Sequence, residues 1–194
     1  FAESSSVGTT IAISSSSDSE LSDITYSLSG TDSDKFAVAS DGTVTLASTL
    51  DYETKSSYNI VLNAFDGTHT TSQGLTISAT NVNEAPSLSS TLVASSFVET
   101  SAVGTTIAIS SSSDSELSDI TYSLSGTDSD NFSVASDGTV TLANTLDYET
   151  KSSYNIIVNA SDGTNTTSQE LIVNAANVNE APSLSSTITA SSFA

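Results

Sequence analysis

The chain contains no cysteine, methionine or tryptophan, only two prolines and one histidine, and just three basic residues among 194. Each scarcity excludes something. Without cysteine there is no disulfide framework, zinc–thiolate site, thiol nucleophile or iron–sulfur cluster. Lys35, Lys55 and Lys151 stand against 23 acids, for a net charge of −20. Nucleic acid, whose phosphates are bound by clustered Lys and Arg, is therefore not an expected partner. His69 alone supplies almost no acid–base material near neutral pH. No apolar run approaches the roughly 18–20 residues of a membrane span, and no basic-then-apolar leader opens the chain. The first residue is Phe1 rather than methionine, so we expect a piece of a longer protein.

Ser and Thr make up about a third of the residues, yet the hydrophobic fraction is 36%, too high for a disordered stalk. The dominant feature is repetition. Phe1 recurs as Phe97, Glu3 as Glu99, Tyr26 as Tyr122, Asp51 as Asp147, Asn81 as Asn177 and Pro86 as Pro182, a period of 96 residues with roughly four positions in five identical. Such a period is a whole domain rather than a solenoid turn. The expected division is a first repeat at 1–84, a linker and start of the next repeat at 85–96, a second repeat at 97–180, and the start of a third at 181–194.

Inside each repeat, apolar residues alternate with period two, as in half-buried strands. Ile11 and Ile13 form one set; Ile24, Tyr26 and Leu28 a second. Phe36 and Val38, then Val44 and Leu46, flank Asp41-Gly42, a tight-turn pair. Tyr58, Ile60, Leu62 and Ala64 make a longer strand ending at Asp66-Gly67, and Leu75, Ile77 and Ala79 make the last. With a short strand around Phe1–Glu3, seven strands are expected per repeat. The spacing predicts an all-β fold of two tandem Greek-key, immunoglobulin-like β-sandwiches.

Asp32, Asp34 and Asp41 occupy turns, where Asp suits the local backbone. The remaining acids fall in short paired groups at strand ends: Glu3; Asp18-Ser-Glu20; Leu50-Asp51-Tyr52-Glu53; Asp66; and Asn81-Val82-Asn83-Glu84-Ala85-Pro86. Alternate residues of an extended chain share one side, so an Asp-x-Glu pair can face one ion.

That order of motifs, present twice, resembles the cadherin repeat, in its bacterial cadherin-like variety. The resemblance implies Ca²⁺ held between consecutive repeats. Carried onto this chain, the first repeat supplies Glu3, Asp51 and Glu53; the linker Asn81, Asn83, Glu84 and backbone carbonyls near Val82 and Ala85; and the second repeat Asp114, Glu116 and Asp162. Asp18, Glu20 and Asp66 then face an upstream linker, while Glu99, Asp147, Glu149, Asn177, Asn179 and Glu180 face a third repeat. An all-oxygen donor set independently suits a hard cation. Seven carboxylates at one junction against up to three divalent ions leave it near neutrality. Empty, each pair about 4 Å apart repels by roughly 1–4 kcal/mol, so metal is expected to act as a stiffener. Asn81 and Glu116 replace aspartates of the family pattern, which leaves either weaker affinity or an empty third position. Asp119 is an alternative to Glu116.

His69 becomes Asn165 in the second copy and is read as a tolerant loop position. The serines lack an adjacent base, so no enzyme is expected. Tyr58 and Tyr154 are read as core, Tyr52 and Tyr148 as surface cover. Asn131-Phe132-Ser133 and Asn165-Thr166-Thr167 match the glycosylation pattern only weakly. The resulting expectation is a calcium-rigidified extender of a secreted, bacterial cell-surface adhesin. Its partners are neighbouring repeats, with homophilic contacts or surface glycans beyond them. The alternatives are a carbohydrate-binding accessory module and calcium-dependent homophilic adhesion. The absence of tryptophan argues against the tryptophan-docking strand exchange of vertebrate relatives.

Overall fold

A computed structural model describes residues 1–17, 19 and 23–184. Asp18 and Glu20 lie outside the described residues. The chain divides into two units, Phe1–Asn83 and Glu84–Ala194.

In the first unit, β1 (Thr10–Ile13), β2 (Thr25–Ser29), β3 (Phe36–Val38), β4 (Thr43–Leu46), β5 (Ser57–Phe65) and β6 (Thr70–Ser78) form two antiparallel sheets ordered β1-β4-β3 and β2-β5-β6. Near the start of the chain, Ala2 makes an isolated parallel bridge to Thr80. The alternating side chains of both sheets converge on one core that includes Phe36, Val44, Leu46, Tyr58, Ile60 and Ile77. Fully burying each aliphatic side chain there contributes about 1.5–3 kcal/mol.

The second unit has β7 (Ser87–Leu92), β8 (Phe97–Val98), β9 (Thr106–Ser113), β10 (Thr121–Ser125), β11 (Phe132–Val134), β12 (Thr139–Leu142), β13 (Ser153–Ser161) and β14 (Thr166–Ala176). Its sheets run β11-β12-β9-β7 and β10-β13-β14-β8. The segment before β9 is thus split: β7 pairs antiparallel with β9 in one sheet, and β8 pairs parallel with β14 in the other. The expected all-β tandem sandwiches are present in both units, and the only helical pieces among the described residues are two three-residue 3-10 turns.

Two local features depart from simple alternation. Ile13 was expected to point inward with Ile11, but it is 79% exposed, and its counterpart Ile109 is 56% exposed. The β1–β4 ladder shifts register between Thr10 and Ala12, and the β9–β12 ladder shifts between Val140 and Thr141. An irregularity that inserts one residue reverses the facing of everything after it, so Ile107 and Ala108 are both buried while Ile109 turns out. The hairpin at Asp41-Gly42 forms as expected. Gly42 has φ +84°, and a Cβ there would sit 2.7 Å from the Ser14 carbonyl oxygen. The Thr43 N–H donates to Asp41 Oδ1 at 2.9 Å, closing the turn.

Candidate metal centre

The acids of the second unit gather at two opposite ends of its strands. One end is built around Glu99, which directly follows β8. Its backbone N–H donates to the Ala176 carbonyl at 3.1 Å, so pairing with the end of β14 fixes its place. The side chain is 7% exposed. Oε2 accepts the Tyr148 N–H at 2.7 Å and Oε1 accepts the Val178 N–H at 2.6 Å. One carboxylate thereby ties the Leu146–Glu149 loop to the segment after β14, and those two N–H bonds hold its pKa below the ordinary glutamate value.

Asp147 lies on the neighbouring loop, where Oδ1 accepts the Thr150 N–H at 2.9 Å and Oδ2 the Thr150 hydroxyl at 2.8 Å. These bonds lower its pKa. The loop is anchored from beneath by Tyr154, whose hydroxyl donates to the Asp147 carbonyl at 3.4 Å and accepts its N–H at 3.3 Å. The Asn177 amide donates to Glu149 Oε1. Oxygens of Glu99, Asp147 and Glu149 lie within 4.8 Å of one another. Glu180 belongs to the same crowd: partial burial, then the charges of Glu149 and Glu99, push its pKa up. The expected residues Glu99, Asp147, Glu149, Asn177 and Glu180 therefore interact at one end of the unit. Asn179 is exposed, with its amide on the Glu180 carbonyl at 3.4 Å.

The first unit repeats this arrangement. Glu3 is 6% exposed, accepting the Tyr52 and Val82 N–H groups at 2.6 Å each. Asp51 is locked by Thr54, whose N–H and hydroxyl donate at 2.8 and 2.9 Å. Asn81 donates to Glu53 Oε1 at 2.7 Å, and Glu3 and Glu53 have oxygens within 4.8 Å. Asn83 ends this unit and Glu84 begins the next.

At the other end of the second unit, Asp114 directly follows β9. Its Oδ1 accepts the Glu116 and Ser118 N–H groups at 3.1 Å each. Leu117 takes a left-handed φ of 59° to close this loop. Asp114 Oδ2 and both carboxylate oxygens of Glu116 are buried without a hydrogen-bond partner. A buried, unpartnered carboxylate is costly, and three such oxygens on one loop suit an oxygen-seeking cation. Asp162, at the end of β13, uses Oδ1 to accept the Thr164 and Asn165 N–H groups at 2.6 Å. Asp66 holds Thr68 and His69 in the same way, at 2.7 Å each. Among the described residues, Asp114, Glu116 and Asp162 do not form a trio as tight as Glu99, Asp147 and Glu149. Asp119 is exposed.

A cadherin-domain family model matches residues 1–95 and again 93–189. The chain belongs to the cadherin family. Similar solved structures include the protocadherin gamma B2 extracellular cadherin domains 3–6, at 22% identity and TM-score 0.65, covering 92% of this chain and 45% of that one. Human protocadherin-24 EC1-2 matches at 22% identity and TM-score 0.60, covering 90% and 92% of the two chains. Drosophila N-cadherin EC1-4 matches at 25% identity and TM-score 0.57, covering 90% and 46%. No curated protein matches this cadherin chain by sequence. Cadherin domains are extracellular adhesion-type modules and not enzymes, and among the described residues no helix is long and apolar enough to cross a membrane.

Several working parts of these cadherin units are backbone groups or distant partners. The N–H donors of Tyr148 and Val178 are invisible in a list of side chains. The Thr150 clamp was readable, because Asp-x-x-Thr is a local side-chain-to-backbone pattern. Asp32, taken from the sequence as a turn residue, and its counterpart Asp128 are each 7% exposed and ion-paired with Lys55 and Lys151. They also accept the Asn59 and Asn155 N–H groups at 2.7 and 2.6 Å. Two of the three lysines are therefore committed away from the candidate metal ligands.

Proposed function

We propose that this chain is an extracellular adhesion stalk, an extender of a bacterial surface adhesin stiffened by Ca²⁺ shared between consecutive repeats. Glu3, Asp51, Glu53, Asn81, Asn83, Glu84 and the Val82 carbonyl would hold the ion from one repeat and its linker. Asp114, Glu116 and Asp162 would hold it from the next. Glu99, Asp147, Glu149, Asn177, Asn179 and Glu180 would serve a further repeat in the same way, and Asp18, Glu20 and Asp66 would serve a preceding linker. The proposed repeats are 1–84 and 97–180, with 85–96 opening the second.

The observation that carries this reading is the convergence of oxygens of Glu99, Asp147 and Glu149 within 4.8 Å of one another, beside Glu180, whose pKa is raised by desolvation and then by the charges of Glu149 and Glu99. Glutamate and aspartate oxygens, amide oxygens and carbonyls are the donors Ca²⁺ takes; the ion would supply positive charge to a crowded set of anions. Calorimetric titration with Ca²⁺, paired with X-ray scattering in calcium and in chelator, tests it. Saturable binding together with a longer, stiffer scattering profile in calcium is expected. Identical profiles and no heat would remove the metal from the account.

A further inference from the structure

The two units differ on the outward face of one sheet. Among the described strands the only charged side chain is Glu170, on β14. It stands exposed between the buried inward positions of that strand, and its Oε1 accepts the Asn155 side-chain amide. Ile157 is its register partner on β13, and Ile172, two residues on, is 54% exposed. The face of the second unit is therefore filled at this point by its own side chains.

Ninety-six positions earlier the same places hold Gly74, Asn59, Val61 and Thr76. A Cβ at Gly74 would meet nothing within 4 Å. The missing side chain leaves a groove of about 460 Å³, walled by Gly30, Thr31, Asn59 and Thr76 and floored by Val61. Asn59 Oδ1 accepts the Thr76 hydroxyl at 2.8 Å, and among the described residues its Nδ2 has no acceptor. The second unit supplies this amide with a carboxylate oxygen; the first leaves it open. Asn59, Val61, Asn63 and Phe65 are alternate residues of β5 and share this side. Asn63 Nδ2 donates to the Ser29 hydroxyl at 3.0 Å, and its Oδ1 accepts the Ser72 hydroxyl at 2.7 Å. Phe65 is 41% exposed, where the second unit has Ser161. From Val61 to Phe65 the strand runs about 13 Å, the length of a short oligosaccharide rather than of one sugar ring.

We propose that this face of the first unit binds a neutral glycan through an acetamido group. The acetamido carbonyl accepts the Asn59 amide, its methyl rests on Val61, and the following rings pass Asn63 toward Phe65. Glu170 shows what the place takes: a short apolar link ending in an oxygen acceptor. Charge narrows the class. No lysine lines the groove to hold an anion against a chain of net charge −20, and no carboxylate lines it to hold a cation. Nor is a peptide favoured, because the β2–β5 and β5–β6 ladders already use the main-chain groups here, and strand addition needs them free. What remains is a few oriented amides and hydroxyls beside apolar surface, the mixture by which small-molecule sites work.

Two-dimensional NMR of the full chain, titrated with chitotriose, tests the proposal. The Asn59 side-chain amide and Val61 methyl signals are expected to shift with a Kd of about 1 mM or below, while those of Asn155 and Ile157 stay in place. Gly74→Glu and Phe65→Ser each install the residue that the second unit carries in the same fold, so the fold is expected to tolerate both. Gly74→Glu should weaken binding by at least about tenfold, and Phe65→Ser by a smaller factor. Conversely, Glu170→Gly combined with Ser161→Phe and Ile172→Thr should bring Asn155 into the response. None of the candidate metal ligands lines the groove, so this proposal and the calcium reading fail separately. No shift at Asn59, or binding undiminished by Gly74→Glu, overturns it. Equal binding of cellotriose, which has hydroxyls but no acetamido group, overturns the acetamido assignment, and equal binding of an acetyl-capped tripeptide gives the groove to peptides instead.

Discussion

Glu99 shows how much one side chain holds together. Both of its oxygens are occupied by backbone N–H donors from two different loops, so charge is concentrated where Asp147 and Glu149 already crowd. A glutamine cannot accept both bonds, since its amide nitrogen is a donor. Glu99→Gln is expected to lower calcium affinity by more than about tenfold, while Asp137→Asn, in a hairpin turn, leaves it unchanged; calorimetry on both variants decides. Glu180 adds a pH signature. Its pKa is raised by burial and by the charges of Glu149 and Glu99, so protons compete for it at higher pH than for an ordinary carboxylate. Calcium affinity should therefore fall as pH drops through that raised value, with proton release on binding visible as a buffer-dependent heat.

Asp128 behaves in the opposite sense. Burial pushes its pKa up, but the bonds from Lys151 and the Asn155 N–H outweigh that, and the net shift is downward. A depressed acid contributes stability fully present above its unfolded value of about 4 and lost as pH falls through the folded one. Asp128→Asn should lose stability at neutral pH and show a shallower decline of Tm on acidification. Thermal melts across pH 2–7 (roughly the carboxylate range) measure it.

At the scale of elements, the fold was legible where alternation is uninterrupted, as from Tyr154 through Ala160, buried at every second position. It failed where one residue is inserted, which is why Ile13 faces solvent. It failed again at β7, because the central inward position of that strand is Ser90, buried by a hydroxyl bond to Ser110 rather than by apolarity. The candidate ligands were legible because they sit in short motifs at strand ends. Asp32 was not: what buries it is Lys55, 23 residues away, a pairing that no local pattern announces. Tyr154 joins core and site, packing edge-on to Phe132 at 6.2 Å while its hydroxyl holds the Asp147 backbone. Tyr154→Phe is expected to cost about 1 kcal/mol and to weaken calcium binding, although the residue touches no ion. In the β3–β4 hairpin, Gly42→Ala meets both an adverse φ and the Ser14 carbonyl, with an expected cost of about 1–3 kcal/mol; denaturant unfolding reads both effects.

Across the whole molecule, two units that share most of their residues use the same ion-pair plug: Asp32 with Lys55 and Asp128 with Lys151. Lysine is the only basic residue type in the chain apart from His69, so proteases that cut after basic residues find three candidate bonds in 194 residues. At Lys55 and Lys151 the ammonium is held by a buried aspartate and lies 5.5 and 5.7 Å from the ring centres of Tyr58 and Tyr154. At Lys35 the carbonyl of the scissile bond accepts N–H groups from Ala47 and Ser48, at 2.8 and 3.3 Å. At two of its three lysines, therefore, a trypsin-like enzyme meets a side chain already engaged by a buried aspartate and a tyrosine ring, and at the third a scissile carbonyl already held by two N–H groups.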